Sequence, residues 1–192
     1  MNEEQPVTPE EMASLMASSM GPGTVGLVMI NQVGPPDPGE AYLALMRQMI
    51  DETGSATGCI SFGTQDASGM MPLVDVDAQD GLRLLIMMRQ MDMINPVAWV
   101  TLATDTFRRI FRMSEVDPAT VRHGDIEKMR QAGDTEVEDA LMVCTLAPDG
   151  PSCDLAQPYV KTETGVEWGE VETNPPSQGG GVVDLMRELV RT

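Results

Sequence analysis

Histidine, lysine, cysteine and aromatic residues are all scarce in this chain, and each scarcity closes off a class of chemistry. His123 is the sole histidine in 192 residues, so two- and three-histidine zinc sites are excluded, and any serine or cysteine triad would have to use this one imidazole. It lies in the polar stretch Val121-Arg122-His123-Gly124-Asp125 and reads as a solvent-exposed loop residue. A catalytic His123 oriented by Asp125 and serving Cys144 has no support beyond the residue types. Three cysteines, Cys59, Cys144 and Cys153, are an odd count without metal-type spacing; they fit reduced, buried thiols better than a disulfide framework.

Positive charge is short as well. Twelve basic against thirty acidic residues leave a net charge of −18, which repels phosphate backbones and anionic lipid surfaces. Direct nucleic-acid or membrane binding is therefore not expected. The charge reads as solubility or a salt-rich habitat; the sharper reading is an acidic surface that meets a basic partner, including mimicry of a nucleic acid. No run approaches the ~18 apolar residues of a membrane span, and the start Met-Asn-Glu-Glu has no basic segment of the secretory kind. Synthesis in the cytoplasm is expected, with incorporation into a larger particle left open. No glycine-rich loop follows a strand and opens a helix, so nucleotide binding is disfavoured and no cofactor is expected.

Aromatics make up 4% of the chain while methionine occurs 17 times, so the flexible thioether must fill volume that Phe or Tyr would occupy, in an adaptable core. The densest apolar stretch runs from Gly81 to Met113. Leu82, Leu84, Leu85, Ile86, Met87, Met88, Met91, Met93 and Ile94 fill a helix-length segment that Asn95-Pro96 stops, with Asp77 placed to cap it. Val97 to Leu102 then reads as a central strand, apolar on both faces and packed on each side. Thr104 to Met113 carries Arg108, Arg109 and Arg112, the only basic cluster, and either extends that strand or turns into a short helix.

Upstream, Thr8-Pro9-Glu10-Glu11 predicts a helix from Pro9 to about Ser19, with Met12, Leu15, Met16 and Met20 on one face. Thr24 to Val33 reads as a buried strand. Asp37-Pro38-Gly39-Glu40 caps a helix with the stripe Tyr42, Leu45, Met46 and Met49, ended by Gly54. Cys59 to Phe62 is a short strand, and Pro72 keeps Met70 to Val76 on an edge at best. Downstream, Ser114 to Gly133 reads as a helical connection. From Val137 the period becomes strand-like, with Ala147-Pro148-Asp149-Gly150 as a type I turn. If Pro148, Asp149 and Gly150 form the loop, Cys144 faces Asp154, and Cys144 and Cys153 project to opposite faces without bonding. Cys153 to Thr162 and Val166 to Val171 are the next strands.

The resulting fold class is α+β: an antiparallel meander in the C-terminal half packed against helices from the N-terminal half, with amphipathic helical arms at both ends. The expected division is an arm over 1–23, one α+β domain over 24–173, a linker over 174–181 and an amphipathic helix over 182–192.

Three stretches invite a functional reading. Asp75, Asp77, Asp80 and Gly81 resemble half of a calcium loop, but the closing position holds Ile86, and helix capping explains the same aspartates; no metal site is expected. Glu163, Glu167, Glu170 and Glu172 make the last hairpin acidic around Trp168. This is either an edge defended by charge or a recognition surface anchored by Trp168, with Glu167 and Glu170 beside it. Finally, Val182, Leu185, Met186, Leu189 and Val190 share one helical face, with Asp184 early and Arg187 and Arg191 late. That helix is expected to dock on a neighbouring subunit or partner, with its own core as the alternative. These features favour a non-enzymatic assembly or adaptor subunit that binds protein or self-associates as a homo-oligomer. An acidic inhibitor or nucleic-acid mimic, and a small histidine-independent enzyme, are the rivals.

Overall fold

Carboxylate caps start the first two described helices. In the computed structural model, which describes residues 27–35, 37–74, 76–111, 135–148, 153–174 and 181–191, helix α1 spans Pro38–Thr53. The Asp37 carboxylate accepts the Glu40 N–H at 3.2 Å, and Pro38 occupies the first turn, where its missing N–H costs nothing. Gly54 ends the helix in the left-handed region (φ 79), donating its N–H to Ile50 at 2.8 Å. Tyr42, Leu45, Met46 and Ile50 form the buried stripe, and Met49 is half-buried.

Helix α2, Ala78–Gln90, begins at Asp77, whose Oδ1 accepts from Gln79 N at 2.7 Å and Asp80 N at 2.9 Å. It stops earlier than Asn95-Pro96 would impose. Asp92 adopts φ 55, and the Met93 N–H turns back to the Met88 carbonyl at 2.9 Å. Met91 and Met93 are thereby left exposed, while Ile94 is buried.

Among the described residues there are eight strands: β1 (Val28–Ile30), β2 (Cys59–Gly63), β3 (Ser68–Pro72), β4 (Trp99–Phe111), β5 (Thr135–Leu146), β6 (Cys153–Thr162), β7 (Gly165–Trp168) and β8 (Glu172–Asn174). They form one antiparallel sheet in the order β1-β3-β2-β4-β5-β6-β7, with β8 also on β6. From β4 onward the neighbours follow chain order, which is the expected meander. Two expectations upstream need correction. The stretch from Met70 is not an edge: β3 lies between β1 and β2, buried throughout. Its proline is tolerated because β1 pairs only with Ser68, Gly69 and Met70, so Pro72 stands past the outer strand. Conversely, the described part of the Thr24 to Val33 stretch does not supply a buried strand; β1 is three residues long and takes the sheet edge, with Met29 exposed.

Strand β4 is central, paired with β2 and β5, and the basic stretch extends it to Phe111 instead of forming a helix. Alternation sends Val100 into a cluster with Leu82, Leu85, Ile60 and Phe62, and Ala103 into one with Tyr42, Met46, Leu141 and Val143. Helix α1 therefore covers one face, while α2 and the C-terminal helix α3 (Gly181–Val190) cover the other. Sequence periodicity had anticipated packing on both sides of this strand. On the α1 face Thr101 and Thr145 share a cross-strand hydrogen bond of 2.9 Å, which satisfies both hydroxyls. Gly63 stands opposite Trp99 in the ladder, and a Cβ there would overlap the indole, so the ring occupies the space that the glycine leaves.

The register of β5 and β6 places Cys144 opposite Asp154 and Thr145 opposite Cys153, as the three-residue loop predicts. The β7–β8 stretch differs from expectation. Val166 to Val171 is not one strand: β7 pairs with Tyr159–Thr162, β8 pairs with Asp154–Ala156, and the register slips by one residue between them. The Gly169 N–H still reaches the Pro158 carbonyl at 2.8 Å, so Glu170 and Val171 oppose Gln157 as a β-bulge. The expected helix Pro9–Ser19, the connection Ser114–Gly133, His123, Asp75 and 175–180 of the linker lie outside the described residues.

Candidate interaction surface

Trp168 owes its position to two-residue alternation in a short strand. Val166 and Trp168 turn toward α1, while Glu167 faces solvent, so β7 alternates exposed and half-buried along its length. The Trp168 indole packs on Tyr159 with ring centroids 5.1 Å apart, the Arg47 guanidinium of α1 sits 5.1 Å above it, and Nε1 donates to Asp51 at 3.0 Å. The ring that the recognition reading would make an anchor fastens the last hairpin to α1 of its own chain. Glu163, Glu167 and Glu170 remain exposed along the outer side.

Tyr159, Arg47, Asp51 and Asp105 escaped the sequence reading. Tyr159 donates its hydroxyl to Asp105 at 2.7 Å, and the other Asp105 oxygen accepts the Ala56 N–H at 3.3 Å. One carboxylate so joins β4, β6 and the segment leading into β2. Burial, the bond to Asp105 and the charges of Asp105 and Asp139 all push the Tyr159 hydroxyl above its ordinary pKa. The available signal was the placement of a lone tyrosine among alternating strand residues, which does not say what it touches.

The C-terminal helix takes the alternative of docking on its own core. Its face does not wait for a partner: Met186, Leu189 and Val190 are buried against Leu82, Leu85 and Ile86 of α2 and against Val100, while Val182 and Leu185 are half-buried beside them. Arg89 of α2 closes the end, its Nη1 donating to the Leu189 carbonyl at 2.8 Å and also to the Arg191 carbonyl. Docking within the chain wins because the exposed groove beside α2 is tethered to the helix, whereas a partner must first be met in solution.

Two recesses lie among the described residues. An apolar one of about 110 Å³ is lined by Leu45, Met46, Met49, Cys59, Met70 and Pro72. Burial pushes the Cys59 thiol up to about 12, so it is a packing group and not a nucleophile at neutral pH. An open cleft of about 480 Å³ is lined by Gln65, Asp66, Asn95, Pro96, Val97 and Pro148 among others. There Asp66 is held by the Thr64 hydroxyl at 3.0 Å and the Asn95 amide at 3.2 Å, which stabilises the loop between β2 and β3. Neither recess sets a nucleophile beside a base.

The feature that stands apart is the β4–β5 ribbon. Ladder pairing between these strands runs over twelve residue pairs, from Val100↔Leu146 to Phe111↔Thr135. On the β2 side, pairing ends at Ala103, opposite Cys59; on the β6 side it ends at Asp139, opposite Tyr159. Among the described residues, 108–111 and 135–138 are thus paired with each other alone. Arg108 stands opposite Glu138, and Arg109 opposite Val137. The sequence pattern locates the basic stretch and allows it to extend the strand outward, but does not say how far it outruns its neighbours, because neighbouring-strand ends are not encoded in a strand's own pattern. Compared with protein-family models, curated proteins and solved structures, the chain matches none. No described helix is long and apolar enough to cross a membrane.

Proposed function

We propose that the chain is a non-enzymatic assembly subunit that associates with other protein chains, copies of itself first, through its sheet. The β4–β5 ribbon carries this reading. A two-stranded ribbon outside the shelter of a sheet is marginal in water, and the N–H and C=O groups on its outer sides, which pair with no described residue, are a template for strand addition. A monomer gains little by extending both strands past their neighbours, whereas a subunit gains a contact surface. The acidity of the chain supports the same reading, since it keeps unassembled copies apart except where a basic stretch meets an acidic one.

Mass measurement by light scattering tests it. The native chain should form a defined oligomer, and Ile110→Pro, which removes a ladder N–H from the projecting part of β4, should dissociate it while leaving the melting temperature within a few degrees. A native chain that stays monomeric throughout the micromolar range would end the proposal.

A further inference from the structure

We propose that the projecting stretch of β4, Arg108–Phe111, pairs with the outer edge of β7 in a second copy of the chain, so that copies join head to tail. The inference rests on the assembly reading and names the surface that the ribbon meets.

The free edge of β4 begins where its neighbours stop. Strand β2 ends at the partner of Ala103, and the segment before it reaches Asp105 through Ala56. From Thr106 onward no described residue pairs with that side. At the other end of the sheet, β7 pairs with Tyr159–Thr162 of β6, and its outer side has no strand partner among the described residues. The two edges have matching lengths. Strand β7 offers four residues between the turn at Glu163-Thr164 and the bulge at Glu170-Val171, and Arg108–Phe111 is a stretch of the same size.

Charge selects between possible occupants. Residues 163–174 hold Glu163, Glu167, Glu170 and Glu172 and no cation. Such an edge repels a second copy of itself and most of the surface of a chain with net charge −18. Arg108-Arg109 is the only adjacent pair of cations in the sequence, and it falls on the projecting edge. Within its own ribbon Arg108 faces Glu138, so adding β7 on the other side would give the order acidic, basic, acidic across three strands, with opposite charges on adjoining strands. The two surfaces are different, which makes the contact heterologous: repetition closes a ring or continues as a filament.

Charge exchange in the full-length chain tests this pairing. Arg108→Glu with Arg109→Glu, and separately Glu167→Arg with Glu170→Arg, should each weaken self-association by roughly tenfold or more, since two adjoining pairs become repulsive. Circular dichroism and melting should show each variant folded. An equimolar mixture of the two should regain the native mass, because each variant's edge now complements the other's. If the native chain associates and both variants associate equally well, this pairing is wrong and the assembly reading stands. If both variants dissociate but their mixture does not recover, this pairing is again overturned. A monomeric native chain overturns both.

Discussion

Replacing Leu189 with alanine tests whether α3 belongs to the core of its own chain. Leu189 is fully buried, with Met186 equally so and Val190 nearly so, in the cluster formed with α2. Leu-to-Ala substitutions in such surroundings cost about 2–5 kcal/mol through lost transfer energy and the residual cavity. A ceiling applies. Burying three such side chains is worth roughly 5–9 kcal/mol, and ordering a ten-residue helix costs about 10–20 kcal/mol of backbone entropy, offset by its hydrogen bonds. These opposing terms nearly cancel, so docking is marginal, and a cavity that costs more than the net docking energy is relieved by releasing the helix. Leu189→Ala should lower stability by at least about 2 kcal/mol, or ~4–8 °C for a chain of this size. The double variant Leu189→Ala with Met186→Ala should approach the loss caused by truncation after Ser177 and not exceed it. Urea unfolding measures the first quantity, and hydrogen exchange at the Val183–Val190 amides reports the release. A change below about 0.5 kcal/mol, the size of an ordinary surface substitution, would refute docking in cis; so would a truncation that reduces oligomer mass and leaves the melting temperature untouched.

Three further outcomes follow from the geometry. Asp77→Ala removes the acceptor for two N–H groups and should cost about 1 kcal/mol in denaturant unfolding, with Asp77→Asn recovering most of it. Gly63→Ala places a methyl group in the Trp99 ring and should cost roughly 1–3 kcal/mol by overpacking, with a changed Trp fluorescence spectrum; an unchanged melting curve would contradict the ring placement. Cys59 titrates at about 12 in the folded chain against an ordinary 9.0, so between those values the unfolded state has lost a proton that the folded state keeps. Its contribution is intact below pH 9 and lost as pH rises toward 12, at up to ~1.4 kcal/mol per pH unit. The stability gap between wild type and Cys59→Ala should accordingly be flat from pH 6 to 8 and narrow above 9; a gap independent of pH would show that the thiol is not desolvated.

Short-range physics determined much of this protein in advance. Asp37 and Asp77 cap helices because a carboxylate next to the chain can reach N–H groups two or three residues on, and Gly54 ends one because it enters the left-handed region without strain. The pairing of Cys144 with Asp154 followed from the loop length at Pro148, since a side-chain period of two turns one count into a whole register. Helix and strand content, the α+β class and a central strand apolar on both faces are legible for the same reason. What lies beyond a few residues was decided by the tertiary structure. Nothing in Ser68 to Met70 says that β1 will pair with it and make it interior. The amphipathic face of α3 is compatible with a partner or with α2, and the tether and the groove beside Leu82 and Leu85 choose between them. Trp168 is apolar surface with one donor; only the fold brings Arg47, Asp51 and Tyr159 to it. The projection of Arg108–Phe111 is likewise absent from that strand's own pattern, because a strand edge is left open by where β2 and β6 end, and those ends lie some fifty residues away in the chain.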